Sequence, residues 1–150
     1  MWGAALVRKA ERMLRSRDDA VDVVHALFVD LIPRWSRDVD LPYLYRAVTN
    51  RCLNVVRDRG TRARLLEREH QAAAPVGRVR LDDQIVGVAL LAELADRLDA
   101  SHLEVLVARF VDDMTQDEIA AHLGLSRKTI GKRLDRIREQ VLALRAEAAS

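Results

Sequence analysis

The stretch that decides the fold is residues 115–130, which read TQDEIAAHLGLSRKTI. Thr115 and Glu118 have the spacing of a capping box, so a helix is predicted to begin beside Thr115. Gly124 suits the left-handed turn that ends a helix, and Ser126 is a preferred N-cap for a second one. Two helices joined by a three-residue turn that contains glycine predict a helix-turn-helix motif.

The second helix of this motif is predicted to be amphipathic and basic. With Ile130 taken as inward and about 100° per residue, its buried stripe comprises Leu134, Ile137 and Val141. The opposite face carries Lys128, Lys132 and Asp135, and the flanks carry Arg127, Arg133, Arg136 and Arg138. A helix of this kind fits the major groove, where the outward side chains reach bases and the flanking ones reach phosphates. We therefore predict DNA contacts at Arg127, Lys128, Lys132, Arg133, Arg136 and Arg138. The alternative is a helix that closes a small bundle, which explains the charge but neither the cap nor the turn.

Outward from this motif, the whole chain favours an all-α fold. Apolar residues recur at helical spacing, and no stretch shows sustained alternation of apolar and polar residues. Upstream helices are predicted at residues 4–14, 20–31, 41–58, 84–98 and 101–111. Asp18 or Asp19 is expected to cap the second of these helices, Pro33 to stop it, and Gly60 to loosen the end of the third.

Residues 70–80 lack periodicity and contain both proline and glycine, which is typical of a connector. We therefore predict two small helical domains, 1–69 and 81–150, joined by a flexible linker at 70–80.

The charges are segregated along the chain, although 25 basic and 23 acidic residues leave a net charge of only +2. Residues 46–68 contain seven basic and two acidic residues, and residues 126–138 contain six basic and one acidic. Residues 82–118 have the opposite balance, with ten acidic and two basic residues. Two separate basic blocks indicate a protein that contacts a nucleic-acid backbone twice. The alternative is that each block is a solvated helix face.

The first basic block has polar and aromatic neighbours. Its helix carries four candidate DNA contacts: Asn50, Asn54, Arg57 and Arg59. Three aromatic residues lie just before or at its start: Trp35, Tyr43 and Tyr45. Aromatic rings beside arginines suit unpaired bases, which need a stacking surface and a charged track for the backbone. Spacing alone favours the alternative, in which Tyr45 and Trp35 belong to the core and the arginines keep the helix soluble.

Several function classes find little support in the sequence. The longest stretch without charge spans residues 84–92, whereas a membrane helix needs about 20 apolar residues. Charged residues recur through the first thirty positions, so no secretory signal is predicted and a cytoplasmic protein is expected. Cys52 is the single cysteine and lies far in sequence from the histidines, so no zinc site is predicted. No nucleophile–base pair or phosphate-binding glycine loop is readable, and we predict no catalytic residue, metal or cofactor.

Three segments carry a resemblance to one family. Residues 98–130, LDASHLEVLVARFVDDMTQDEIAAHLGLSRKTI, resemble region 4 of bacterial RNA polymerase sigma factors, above all the small extracytoplasmic-function group. Residues 19–28, DAVDVVHALF, are similar to the polymerase-binding helix of sigma region 2. Residues 43–51, YLYRAVTNR, are similar to the helix that reads the minus-10 element.

The resemblance implies a promoter-specificity subunit that binds core RNA polymerase and promoter DNA and has no catalysis of its own. It implies a region 2-like bundle at the melted minus-10 strand and a region 4-like helix-turn-helix at the minus-35 duplex. Residues carried over to the polymerase-facing surface are Asp19, Asp22 and His25. Residues carried over to the minus-10 strand are the loop 34–42, Asn50 and Asn54. Those carried over to the minus-35 element are Arg127, Lys128, Lys132 and Arg133.

Factors of this type are often held by an anti-sigma protein, which is therefore a further expected partner. Two alternatives remain at this point. One is a helix-turn-helix regulator that acts without polymerase, and the other is a sigma-like interaction module.

Overall fold

In the computed structural model, which describes residues 2–35, 39–70 and 88–149, the chain is built from α-helices. No strand occurs in these ranges, so the all-α prediction is confirmed. The described α-helices are α1 (Trp2–Leu14), α2 (Arg17–Leu31), α3 (Leu41–His70), α4 (Val88–Arg97), α5 (Ala100–Phe110), α6 (Gln116–Leu123) and α7 (Arg127–Ala149). A short 3-10 turn, Ile32–Arg34, follows α2 and contains Pro33.

The contacts divide the chain into two units, with the boundary between Val55 and Val56. This boundary lies within α3, whose last residue is His70. The rest of the predicted connector, residues 71–80, lies outside the described residues. The domain ranges inferred from the sequence therefore stay a prediction.

In the N-terminal unit, α1 packs along α2. The helix α3 adds a stripe of fully buried side chains at four-residue spacing: Leu44, Val48 and Cys52. Each large apolar side chain that is fully buried stabilises the fold by roughly 1.5–3 kcal/mol. One charged residue also lies in this interior. Lys9 is fully buried, and its ammonium lies 5.1 Å from the centre of the Tyr45 ring.

Two local predictions, one for the start of α2 and one for the end of α3, were wrong. The N-cap of α2 is Ser16, whose hydroxyl accepts a hydrogen bond from the Asp19 N–H (3.3 Å), rather than Asp18 or Asp19. Both aspartates instead lie in the first turn of α2, where their charge favours the helix N-terminus. Gly60 does not end α3, because an interior glycine costs only about 1 kcal/mol and the residues after it are mostly good helix formers.

The C-terminal unit contains the predicted helix-turn-helix. The Thr115 hydroxyl accepts from the Glu118 N–H, and the Glu118 carboxylate accepts from the Thr115 N–H, both at 3.1 Å. Gly124 ends α6 in the left-handed region (φ 67°), and the Leu125 N–H donates to the Ala120 carbonyl. The predicted capping box and turn are therefore confirmed.

Helix α7 packs against α5, α6 and α4. Three isoleucines at the centre of this packing have no exposed surface: Ile119, Ile130 and Ile137. The far end of α7 is joined to α4 by an ion pair, in which Arg97 donates two hydrogen bonds to Glu147 (2.9 and 2.5 Å). These contacts fix the rotation of α7 and hence which side chains it exposes.

The start of α5 is capped by Asp99, whose carboxylate accepts from the His102 N–H at 3.0 Å. The same oxygen accepts from the Ser101 hydroxyl (2.6 Å) and lies 2.7 Å from His102 Nδ1. The Ser101 hydrogen bond, followed by those from His102, holds the pKa of the Asp99 carboxyl well below its usual range. The cap is therefore strongest while Asp99 is ionised.

Candidate nucleic-acid interface

The turn between α6 and α7 fixes the direction in which α7 begins. The Ser126 hydroxyl accepts from the Thr129 N–H at 3.1 Å, as expected of the predicted N-cap. The first turn of α7 is anchored on its inner side by Ile130, which is fully buried. Arg127 and Lys128 are consequently exposed at the start of the helix.

The two faces of α7 have the rotation that the sequence predicted. Its inward side chains are at most 2% exposed: Leu134, Ile137 and Val141. Its outward side chains are all exposed: Lys128, Lys132 and Asp135. An exposed helix face with two lysines one turn apart can enter a major groove and donate hydrogen bonds to base edges or phosphates. The structure thus places these side chains where the DNA-binding prediction requires them, while the contact itself stays a prediction.

The six basic candidates on α7 fall into two classes by ion pairing. Three arginines have carboxylate partners: Arg127 with Asp117 (3.4 Å), Arg136 with Glu139 (3.3 Å) and Arg138 with Asp135 (3.6 Å). In the part of the chain that the structure describes, no carboxylate pairs with Lys128, Lys132 or Arg133. Exposed ion pairs contribute only about 0–1 kcal/mol, so DNA phosphates can compete for the paired arginines as well.

The candidates on α3 differ in how available their side chains are. Asn50 and Asn54 are exposed, whereas Arg57 and Arg59 are half-buried. Arg57 donates to the Ala95 carbonyl from Nε (3.4 Å) and Nη2 (3.3 Å). Ala95 lies in the last turn of α4, where carbonyl groups lack helical partners, so Arg57 caps that helix end. The sequence did not indicate this structural role, and DNA binding by Arg57 and Arg59 stays a prediction.

The aromatic residues near this surface do not all belong to the core. Trp35 is 50% exposed and Tyr43 is 49% exposed, so the core placement favoured by spacing is wrong for Trp35. Its ring lies 6.4 Å from that of Phe28, measured between centroids. Tyr45 is half-buried, with its ring against Lys9. Rings with an exposed face can stack on unpaired bases.

The candidates for polymerase binding lie on α2. Asp22 and His25 are exposed and one turn apart, while Asp19 is half-buried at the capped end. Val21 and Val29 lie one turn to either side of His25 and are 44% and 52% exposed. These two apolar side chains lie beside the acidic ones on the exposed side of α2, while polymerase binding stays a prediction. The structure brings Asp22 and His25 together on this face.

Besides the role of Arg57, sequence reasoning missed the partners of two charged residues, Lys9 and Arg127. A lysine is almost never fully buried, so the burial of Lys9 against the Tyr45 ring was not readable from its sequence neighbours. The partner of Arg127 was also missed, because Asp117 approaches it only after the turn at Gly124 reverses the chain.

Metal-binding clusters and membrane-spanning helices are both absent from the described residues. No group of three or more His, Cys, Asp or Glu side chains in the described part has the arrangement of a metal site. Within the same residues, no helix has the length and apolar character needed to cross a bilayer.

Comparisons with known proteins agree with this geometry. Residues 91–145, which include α5, α6, the turn and most of α7, match the family model described as sigma-70, region 4. The RNA polymerase sigma-E factor of Streptomyces avermitilis is 31% identical over 148 residues, covering 91% of this chain and 79% of that protein. The protein of the same name from Streptomyces coelicolor is 30% identical over 150 residues, covering 93% of this chain and 81% of that protein. Since the match extends over both units and most of each relative, the chain belongs to the sigma-70 family of RNA polymerase sigma factors, in its extracytoplasmic-function group.

Proposed function

We propose that this chain directs core RNA polymerase to specific promoters. The observation that carries the proposal is that Lys128 and Lys132 are exposed on the outward face of α7 and have no carboxylate partner among the described residues. Both lysines lie within the region 4 match. In this proposal the N-terminal unit recognises the minus-10 element and the C-terminal unit recognises the minus-35 element. The chain acts by binding and carries out no reaction of its own.

At the minus-35 duplex, α7 is the reading helix. Lys128 and Lys132 face the base edges, because they lie directly opposite the buried stripe. The flanking arginines contact phosphates on the two walls of the groove: Arg127, Arg133, Arg136 and Arg138. Phosphate contacts position the helix, and base contacts supply the sequence preference.

At the melted minus-10 strand, α3 provides amides and a stacking surface. Asn50 and Asn54 are one turn apart and exposed, so their side chains can hydrogen-bond to the edges of unpaired bases. Tyr43, half exposed near the start of the same helix, offers a ring for base stacking. Arg57 and Arg59 follow the strand backbone in this proposal.

Polymerase binds the acidic and apolar face of α2 in this proposal. Asp19, Asp22 and His25 provide the polar contacts, and the exposed Val21 and Val29 provide apolar area beside them. Because the partner is RNA polymerase, we place the activity in the cytoplasm. An anti-sigma protein that covers the DNA-binding surfaces is a further proposed partner.

One experiment tests the proposed function directly. The chain is mixed with core RNA polymerase and a pool of genomic fragments, and the transcripts that start only in its presence are sequenced. We expect starts at a small set of sites with a shared upstream element. The combined variant Lys128→Ala and Lys132→Ala should lose most of these starts, whereas Arg8→Ala, an exposed arginine of α1, should keep them.

The two alternatives give different results in the same experiment. A regulator that acts without polymerase would bind duplex DNA in a parallel assay yet add no starts. An interaction module would neither add starts nor bind duplex DNA. Either result contradicts the proposed function.

A further inference from the structure

A cleft formed by the end of α5, the segment that follows it and the starts of α6 and α7 brings opposite charges together. It is lined by Arg109, Asp113, Thr115, Gln116, Asp117 and Arg127. Arg127 Nη1 lies 3.4 Å from Asp117 Oδ1, and Arg109 Nη1 lies 3.9 Å from Asp113 Oδ1. Each arginine of the cleft therefore has a carboxylate of its own.

The Asp117–Arg127 pair stands at the end of α7 that meets DNA in the proposed function. Arg127 is the first residue of α7 and precedes the unpaired Lys128, while Asp117 lies in the first turn of α6. The side chains are 68% and 73% exposed, so solvent weakens their attraction and the pair opens at small cost. A DNA phosphate competes directly with Asp117 for the Arg127 guanidinium.

We propose that Asp117 is a specificity-determining residue that acts through Arg127. Asp117 competes with DNA phosphates for the Arg127 guanidinium, and so weakens the phosphate contact that Arg127 makes in the proposed function. The effect differs between two kinds of DNA complex. A complex with random duplex is held by phosphate contacts alone, and the protein can shift along the DNA until each available cation meets a phosphate. A complex with the promoter is held in one register by base contacts, which here are those of Lys128 and Lys132.

Asp117 therefore weakens binding to random duplex more than binding to the promoter. Specificity is a difference between two affinities, and a charge that disfavours the wrong partner raises it. This inference rests on the proposed function, because it requires α7 to lie in the groove.

The test uses the full chain and two duplexes of equal length. One is the upstream element found in the transcription experiment, and the other is a scrambled sequence of the same composition. Fluorescence anisotropy gives the dissociation constants over a series of salt concentrations. For Asp117→Asn we expect scrambled-duplex affinity to rise about two- to fivefold, which corresponds to the loss of one exposed ion pair. The slope of log affinity against log salt should become steeper by up to about one unit, and the affinity for the promoter duplex should rise less than that for the scrambled duplex.

Three variants separate this mechanism from simpler ones. Asp18→Asn changes the net charge equally at an exposed position of α2 and should leave the slope unchanged. Asp117→Glu keeps the carboxylate and should restore the parent slope. In an Arg127→Ala background, Asp117→Asn should no longer steepen the slope.

The outcomes distinguish the inference from the proposed function. If the parent prefers the promoter duplex and loses that preference in Lys128→Ala, an unchanged slope in Asp117→Asn overturns only the inference. An equal steepening in the Arg127→Ala background also overturns it, since Asp117 would then act on DNA directly. If the parent shows no preference and Lys128→Ala has no effect, both are overturned. Circular dichroism checks that Asp117→Asn keeps its helical content. Arg127→Gln tests the same contact from the other side, because removal of the guanidinium should flatten the slope.

Discussion

Two glycines of the helix-turn-helix allow a prediction in which one chemical change has opposite effects. Gly124 lies in the turn with φ 67°, whereas Gly131 lies within α7, where the backbone is helical. An added Cβ would meet no atom within 4 Å at either position. Replacement by alanine therefore tests backbone conformation alone, without a steric clash. We expect Gly124→Ala to destabilise the motif and Gly131→Ala to stabilise it.

The magnitudes follow from the two backbone conformations. Both replacements remove the same freedom from the unfolded chain, which favours the native state by about 0.4–1 kcal/mol. At Gly131 nothing opposes this gain, because alanine is the best helix former. At Gly124 the left-handed conformation costs a residue with a Cβ about 1–2 kcal/mol. The two variants should therefore differ in stability by about 1–2 kcal/mol.

Native-state hydrogen exchange of the full chain measures this difference at the motif itself. A tenfold change in an equilibrium constant corresponds to about 1.4 kcal/mol, so amide protection in α6 and α7 should differ by roughly five- to thirtyfold between the variants. Amides of α1 and α2 serve as the internal control and should not change. If Gly124→Ala were as protected as Gly131→Ala, the left-handed turn would be wrong, and with it the placement of α7.

Three further predictions concern binding and acid stability. Lys128→Ala and Lys132→Ala should each weaken promoter duplex binding by about 1–3 kcal/mol and relax its specificity. Arg136→Ala should instead lower affinity evenly across sequences and flatten the salt dependence. If all three variants acted alike on promoter and random duplex, the assignment of the lysines to the groove would be refuted. Asp22→Lys should abolish binding to core polymerase in a pull-down assay and leave duplex binding intact, because a reversed charge opposite a complementary surface is strongly unfavourable; undiminished polymerase binding would refute that surface. Because the pKa of Asp99 is lowered in the folded state, its contribution to stability is present above about pH 4 and is lost as the pH falls below that value. Amide protection in α5 should therefore drop below about pH 4, and it should drop less in Asp99→Asn.

Much of the fold could be predicted because local signals and tertiary packing agree at the helix-turn-helix. Thr115, Gly124 and Ser126 act through hydrogen bonds and backbone angles within four residues, so their roles can be read from spacing alone. The same logic explains one error. Ser16 and Asp19 have the spacing of a cap and its third helical position, but Asp18 and Asp19 also suit the cap, because their charge favours that end of a helix.

The sequence by itself determined the helical class, the capped turn and the two faces of α7. In a helix of known period, the spacing between two residues gives the angle between their side chains around the axis. Only the tertiary structure decided which charged groups are committed to partners within the chain. Lys9 is buried against Tyr45, Arg57 caps α4 through Ala95, and Asp117 pairs with Arg127. Each of these contacts joins residues from different helices, so it depends on how the helices pack. The periodicity of a single helix contains no record of that packing, which is why the charges could be counted from the sequence but not assigned to partners.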